Sequence, residues 1–509
     1  MSGNDNNGKK SLLVLEDVIS SADGIHLLGG GDFCFTSVQT DSRNVGQGCL
    51  FVPLIGEKQD GHKYIPQAVE KGASAVLICL KNYEADPSFF TEISLKAPNV
   101  YFIGVQNTLT ALQKIAGRYV EKFPDLIKIG VTGSSGKTTT KEIAASILRQ
   151  KYNVITNEGN LNSETGLPLS VFKIRSEHTA GIFEMGMNRW DEIGEIAAVL
   201  KPRFAIVTNI GTAHIGILGS RQRIAEEKSK VFSHFNGFGT AFIPKNDDFA
   251  DYLASQVDGN VVFYGPDAVQ EDDDPCRVEF VRDLGLGGTE LSIGGKKAVL
   301  ALPGKYNYSD ALGAIALAKL LGIGAEGIAE GINSVKSVFG RTQVLRGSGD
   351  FSGLTVVQDC YNANPDSMEK AVEFISSIKN ADGGSEEEPK VLVLGDMKEL
   401  GDDSASEHEK TGAQAAKSGS SLIIFIGNEM NAAYSKALDI AKEKNLGVKI
   451  EYFAGNEKDG ADSGVMEKAG KDVLEFASAH GGKAVVLVKG SRGMEMERVT
   501  SVLTGNGSM

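Results

Sequence analysis

Thr132-Gly133-Ser134-Ser135-Gly136-Lys137-Thr138-Thr139 follows the apolar run that starts at Leu126 and opens a stretch of helical spacing reaching Gln150. Strand, glycine-rich loop and helix in that order suit phosphate binding. Glycines let backbone amides close around anionic oxygens, and the helix N-terminus adds positive potential. Lys137 would neutralise the β- and γ-phosphates of a nucleotide, and the Thr138 hydroxyl would ligate magnesium. One departure is plain: the general pattern G-x-x-x-x-G-K-[ST] has its first glycine where this chain has Val131.

A phosphate loop alone names no reaction, because kinases, GTPases, motors and ligases share it. The guanine-reading NKxD motif is absent from the sequence, which disfavours a GTPase. Glu184, in GIFEMG, ends a strand-like run where a metal-organising carboxylate is expected, although a solvated glutamate after a strand looks the same. His214, in TNIGTAH, follows another such run. If the strands are parallel it reaches the same sheet edge as Glu184 and the phosphate loop, which suits a metal or phosphate role. Lys228 lies in AEEKSKVF on a predicted helix from Ser220 to Phe235. Spacing does not single it out, and with Glu226, Glu227 and Ser229 beside it an exposed helical lysine is the expectation from the residues alone.

These side chains need a scaffold that brings strand ends together. LIKIGVTG, TAGIFEMG and FAIVTNIG are strand-like runs ending in polar residues, with helical stretches between them. Such repeats predict a doubly wound parallel sheet, with its ligand site at the carboxyl ends of the strands. Before it, Leu50–Leu54, Ser74–Leu80 and Val100–Val105 read as strands and Tyr64–Lys71 as a helix, a small α/β domain over 1–124. The central domain is expected over 125–338. A third, Rossmann-like α/β domain over 339–509 has predicted strands LTVVQD, KVLVLGD, LIIFIG, KIEYF and AVVLVKG. The acidic runs Gly383–Pro389 and Asn456–Gly464 are expected as solvated loops.

Composition narrows the class. The 509 residues suggest two to four domains, and 41% hydrophobic with 23% charged residues is ordinary for a soluble globular chain. A formal net charge of -14 argues against a broad nucleic-acid surface while leaving nucleotides open. No apolar run approaches a membrane span and the N-terminus lacks a secretory h-region, so a cytoplasmic location is expected. Cys34, Cys49, Cys79, Cys276 and Cys360 are scattered without a CxxC pair, as reduced, mostly buried thiols would be. No base follows Cys360 at a recognisable place, so it is not expected as a nucleophile.

The succession TGSSGKTT, EMG, TNIGTAH and AxxKxxxF, continued by PGKYNYSDALGAIALA, FGRTQ and DCYNANPDSM, resembles the Mur ligases over nearly the whole chain, in their three-domain order. Within that family, NEGNLNSETGLPLSVF, EMGMNRWDEI, LGDMKELG and VKGSRGMEMERV resemble the branch that adds D-alanyl-D-alanine. TDSR is shared with the branch that adds a diamino acid, whose DNPR-type motif is not evident here. The resemblance implies UDP near Thr40, Asp41, Ser42, Arg43, Asp60, Gly61 and His62. TDSR alone would be an ordinary capped turn. It also implies ATP on the loop 132–139 with Asn307 near adenine, Arg341 on the phosphates and Asp359 at the ribose.

Asn160 and Asn162 are implied on the substrate side, and Asn362 and Asn364 near the incoming dipeptide. Magnesium, as two ions, would involve Thr138, Glu184, His214 and a Lys228 carbamate. Lys137, Glu184, His214 and Lys228 would be catalytic. The implied reaction joins a UDP-N-acetylmuramoyl-tripeptide to D-alanyl-D-alanine through an acyl phosphate, in a monomeric enzyme. Tyr306 and Cys360 replace a His and a Ser common in the family. A sister ligase adding a diamino acid and a non-catalytic nucleotide-binding homologue are the alternatives.

Overall fold

The computed structural model describes residues 11–31, 33–56, 59–379, 387–455 and 463–505. Most of the two acidic runs lies outside them. Five sheets organise the described residues, three of them large. The first has the spatial order Ile25–Leu28, Tyr101–Val105, Ala73–Cys79, Cys49–Phe51, Ser37–Gln39, parallel except for its first edge strand. The expected strand Leu50–Leu54 stops at Phe51, and Pro53, with no N–H to give a ladder, lies just beyond.

The central sheet is six-stranded and wholly parallel: Gly259–Tyr264, Gly239–Pro244, Phe204–Val207, Ile127–Thr132, Ala180–Glu184, Val154–Thr156. Ile127–Thr132 comes first in the chain. The chain then adds Val154–Thr156 and Ala180–Glu184 on one side before crossing to Phe204–Val207 on the other. The reversal opens a crevice at the carboxyl end of Ile127–Thr132, where the phosphate loop begins.

Helices cover both faces, so Ile129, Val131, Ile182 and Ile206 are fully buried and the strands read as apolar runs rather than alternations. On one face, helices Lys137–Leu148 and Lys305–Leu320 pack through Ile143, Ile147, Ala311 and Ile315. On the other, Leu112, Ile115, Ile193 and Ile196 merge with residues of the first sheet into one core. Each such side chain contributes roughly 1.5–3 kcal/mol on burial.

The third large sheet runs Gln343–Arg346, Leu354–Asp359, Ala484–Lys489, Lys390–Gly395, Leu422–Ile426, Lys449–Phe453, with only its first strand antiparallel. It too reverses direction, so Asp359 and Lys489 end adjacent strands in register.

The structure differs from expectation in three further places. The predicted helix Ser220–Phe235 is an α-helix only over Arg221–Ser229, then tightens into a 3-10 turn over Lys230–Phe232. Strands Gly239–Pro244 and Gly259–Tyr264 extend the central sheet beyond the predicted runs. A small antiparallel sheet, Val278–Asp283, Thr289–Ile293 and Lys296–Leu300, stands beside it, its second hairpin turning on Gly294 and Gly295 with φ 52° and 78°. Two positive φ values in a row favour glycine and give a turn matching strand twist. Cys49, Cys79, Cys276 and Cys360 are buried free thiols.

Candidate active site

The phosphate loop is built by close approach to a neighbouring loop. Gly133 and Gly136 have φ 146° and 78°, and a Cβ on them would strike Thr208 and Asp310 respectively. Asn209 ties the loop down: Ser134 N donates to its carbonyl at 3.0 Å and Ser135 N to its Oδ1 at 3.1 Å. Gly211 N donates back to Ser134 Oγ at 2.9 Å. Val131 needs no glycine, because it is still a buried ladder residue whose carbonyl accepts from Met185 N. Helix Lys137–Leu148 then presents first-turn amides that have no acceptor within the helix.

Two ammonium groups meet at one carbonyl. Lys137 Nζ and Lys228 Nζ each donate to Gly133 O at 2.9 Å. Lys228 is wholly buried, against the expectation of an exposed helical lysine. Its helix turns that side inward, while Lys230 lies over Trp190 at 4.0 Å and pairs with Asp191 and Glu227, each at 2.8 Å. Burial first, and then the neighbouring Lys137 charge, push the Lys228 amine well below its ordinary pKa. Burial likewise lowers Lys137. Two cations sharing one neutral oxygen form a pocket of positive potential matched to an anion.

Opposite them stands the buried Glu184 carboxylate. It accepts from Thr138 Oγ1 and from Asn162 Nδ2, both at 2.7 Å. Asn157 holds the Glu184 backbone on both sides, at 2.9 Å each. Asn162 therefore positions the carboxylate, and Asn160 is exposed beyond it. His214 adopts φ 65°, with Nδ1 2.8 Å from Glu399 Oε2. Burial lowers its pKa despite Glu399, favouring the neutral imidazole that metals bind.

Residues of the third sheet close the other wall. Arg341 Nη2 donates to Thr138 Oγ1 at 3.2 Å, its guanidinium lies 4.3 Å from the Tyr361 ring centre, and its buried Nε has no hydrogen-bond partner among the described residues. Asp359 pairs with Lys489 at 2.6 Å and accepts from Thr342 N. Asn364 caps helix Pro365–Ser377 in a capping box with Ser367 and reaches Ser135 Oγ at 3.2 Å. Asn362 Oδ1 accepts from Ala363 N, and its carbonyl accepts from Lys489. Asn307 is buried and donates to Pro303 O at 2.6 Å. Tyr306 meets Thr342 Oγ1 at 3.0 Å, and burial pushes the Cys360 thiol up to about 12, consistent with an inert sulfur.

A cavity of about 670 Å³ runs between these walls, lined by Lys137, Thr138, Glu184, Asn307, Arg341, Asp359, Asn362 and Asn364 among others. The first-sheet residues do not line it. Asp41 caps the turn Ser42–Asn44 and pairs with its exposed neighbour Arg43, and Ser42 Oγ donates to Gln67. Asp60 holds His62 Nδ1 at 2.6 Å, while His62 Nε2 accepts from Cys79 N. The turn Gly61–Tyr64 is thus a bracket between elements, and Thr40 is half-buried beside the first.

Lys489, Asn157 and Asp310 were not singled out from the sequence. Lys489 and Asn157 lie at or just past the carboxyl ends of strands, a signal that parallel-sheet geometry supplies. Asp310 lines the cavity, and burial pushes its carboxyl up to about 7 although Lys370 and Arg341 pull the other way. A raised folded-state pKa means that the folded protein holds the proton longer, so this residue's contribution to stability falls as pH rises from about 4 to about 7. Asp310→Asn is expected to flatten that fall and to be more stable than the parent at pH 8, by at most about 4 kcal/mol, and so to melt higher there. Melting curves from pH 5 to 8 check it, and parallel curves would refute it.

The donor set suits magnesium. Thr138 and Glu184 offer hard oxygen donors beside the phosphate loop, and an ion of this kind takes one or two protein ligands with phosphates and water completing its shell. His214 Nδ1 faces Glu399 Oε2, which leaves the other ring nitrogen as the one that could serve as a further donor.

Fold and site define a P-loop nucleotide-binding protein whose cleft is completed by a second α/β sheet. The chain belongs to the Mur ligase family. Family models match at residues 35–120 (Mur ligase family, catalytic domain), 131–318 (Mur ligase middle domain) and 340–492 (Mur ligase, glutamate ligase domain). It is 39% identical over 499 residues to the UDP-N-acetylmuramoyl-tripeptide--D-alanyl-D-alanine ligase of Treponema pallidum, covering 97% of this chain and 99% of the relative. The ligase of the same name from Bacillus subtilis is 31% identical, with 92% of each chain covered. The crystal structure of MurF from Acinetobacter baumannii superposes with a TM-score of 0.79 at 25% identity, covering 97% of this chain and 98% of that one.

Proposed function

We propose that the protein is a cytoplasmic, monomeric ligase that uses ATP to join D-alanyl-D-alanine to a UDP-N-acetylmuramoyl-tripeptide in peptidoglycan precursor synthesis. One observation carries the reading: Lys137, Glu184 and Arg341 converge on one cleft whose far wall holds Asn362 and Asn364, with Lys228 buried behind it on the Gly133 carbonyl that Lys137 shares. The named relatives give the substrates. No described helix is long and apolar enough to cross a membrane, and the charge of -14 disfavours nucleic acid.

In this reading 1–124 binds the uridine nucleotide near Thr40, Asp41, Ser42, Arg43 and the segment Asp60–His62, with Asn160 facing the tripeptide. Residues 125–338 bind ATP, and 339–509 bring the dipeptide. A tripeptide carboxylate must approach the γ-phosphate, and the two anions repel. Lys137, Arg341 and the helix N-terminus offset that repulsion. Glu184, Thr138, His214 and a carbamate on Lys228 would hold magnesium, two ions in all, whose chemistry is charge neutralisation between phosphate and carboxylate. The carboxylate oxygen bonds to phosphorus as ADP leaves. The dipeptide amine then attacks the acyl carbon, loses a proton and expels phosphate. Enclosure between the central and third sheets excludes water that would hydrolyse the acyl phosphate.

Phosphate release from ATP is expected to require both the tripeptide nucleotide and D-alanyl-D-alanine. Turnover with a free diamino acid instead would assign a sister ligase, and ATP binding without turnover a non-catalytic homologue. Oxygen scrambling in ATP is expected with tripeptide nucleotide present and dipeptide withheld, because the acyl phosphate forms before the amine is needed. A competent complex with no scrambling would contradict that order.

A further inference from the structure

The segment carrying His214 touches the third sheet's unit at two points flanking the histidine. Before it, Asp366 Oδ2 accepts from Thr212 N at 2.7 Å and from Thr212 Oγ1 at 3.1 Å, and a Cβ on Gly211 would collide with that carboxylate. After it, Gly216 packs so tightly on the loop 399–401 that a Cβ would lie 2.6 Å from Gly401 N and 2.7 Å from Glu399 O. Between them, His214 and Glu399 face each other with φ 65° and 66°, a left-handed backbone that such residues avoid unless surroundings impose it.

The opposing loop is braced within its own unit. Met397 N donates to His408 Nε2 at 3.1 Å, Lys398 N to Ser491 Oγ at 2.9 Å, and Met430 N to Asp396 Oδ1 at 2.9 Å. It therefore meets the His214 segment as a rigid surface.

We infer that Asp366 is a positioning residue: by gripping Thr212 while the loop 399–401 seats on Gly216, the third unit locks His214 in its working place. His214 is then set only when that unit is docked, which ties assembly of the catalytic centre to closure. The catalytic consequence rests on the ligase reading above, whereas the docking itself does not.

Hydrogen exchange at the Thr212 amide, in the full chain saturated with a non-hydrolysable ATP analogue, tests the lock directly. Asp366→Ala is expected to speed that exchange at least about tenfold, and Asp366→Asn, which keeps an acceptor oxygen, to retain most of the protection. Ligation kcat should fall roughly ten- to hundredfold in Asp366→Ala, with a smaller loss of affinity for the analogue, because the phosphate loop keeps its own bonds to Asn209. Gly216→Val should loosen Thr212 in the same way with Asp366 intact. Unchanged Thr212 exchange in both Asp366→Ala and Gly216→Val would overturn the inference, as would full kcat in both. If the parent protein ligates nothing, the ligase reading fails, and the exchange result still decides the docking.

Discussion

Lys137→Ala is expected to abolish measurable ligation, a loss of at least about 10²–10³-fold from removal of one preorganised charge, while the fold melts within a few degrees of the parent. The asymmetry follows from where the side chain lies. Lys137 is half-buried at the first position of helix Lys137–Leu148, and its ammonium donates to the carbonyls of Gly133 and Ser134. Alanine is a good helix former there. The γ-phosphate, by contrast, would lose the cation that offsets repulsion from the incoming carboxylate. Steady-state phosphate release and a thermal melt separate the two effects. Near-normal turnover would refute the assignment of the loop to ATP, and a collapsed melt would show a structural role.

The second large effect concerns Lys228. A fully buried ammonium bonded to one backbone carbonyl and repelled by Lys137 is expensive, and its lowered pKa raises the share of neutral amine. Neutral amine is the form that attacks carbon dioxide: an N–C bond forms, one proton leaves, and a carbamate replaces the cation. That change would turn a repelling charge into two anionic oxygens near Glu184 and His214. Lys228→Ala is therefore expected to lose nearly all activity, by about 10³-fold, with partial recovery in acetate, whose carboxylate stands in for the carbamate. Lys230→Ala should stay within about threefold of the parent, since that residue pairs with exposed Asp191 and with buried Glu227, which keeps the amides of Asp191 and Ile193 as partners. A carbamyl carbon signal from labelled bicarbonate, present in the parent and absent in Lys228→Ala, provides a check that does not depend on turnover. Full activity in Lys228→Ala would end the proposal.

The contrast between these two lysines shows what the chain carried on its face. Lys137 was legible because phosphate binding imposes a local pattern: buried strand, glycines at positive φ, helix start. All of it lies within about a dozen residues, so spacing alone points to the chemistry. Glu184 and His214 were legible one level up, because parallel strands must end at a common edge. The three large sheets were visible as apolar runs, since strands covered on both faces have nothing to alternate with.

Lys228 was not legible. Its neighbours Glu226 and Glu227 look like those of any solvated helix, and only resemblance to a family marked it. What buries it is packing of Arg221–Ser229 with helices Glu192–Leu200, Ile215–Leu218 and Ala250–Ser255 and with the phosphate loop, where the bond to Gly133 joins residues 95 apart. The small antiparallel sheet is not legible in the same way although Gly294-Gly295 between TELSI and KKAVL is a hairpin signal, because Glu290, Lys296 and Lys297 break up its apolar runs and Val278–Asp283 is mostly exposed.

The phosphate loop, the strand ends and the three-part order were thus set by local rules that the sequence states outright. The Asp359–Lys489 pair, the grip of Asp366 on Thr212 and the burial of Lys228 were decided by tertiary structure, because each joins residues whose meeting depends on how whole sheets and helices dock.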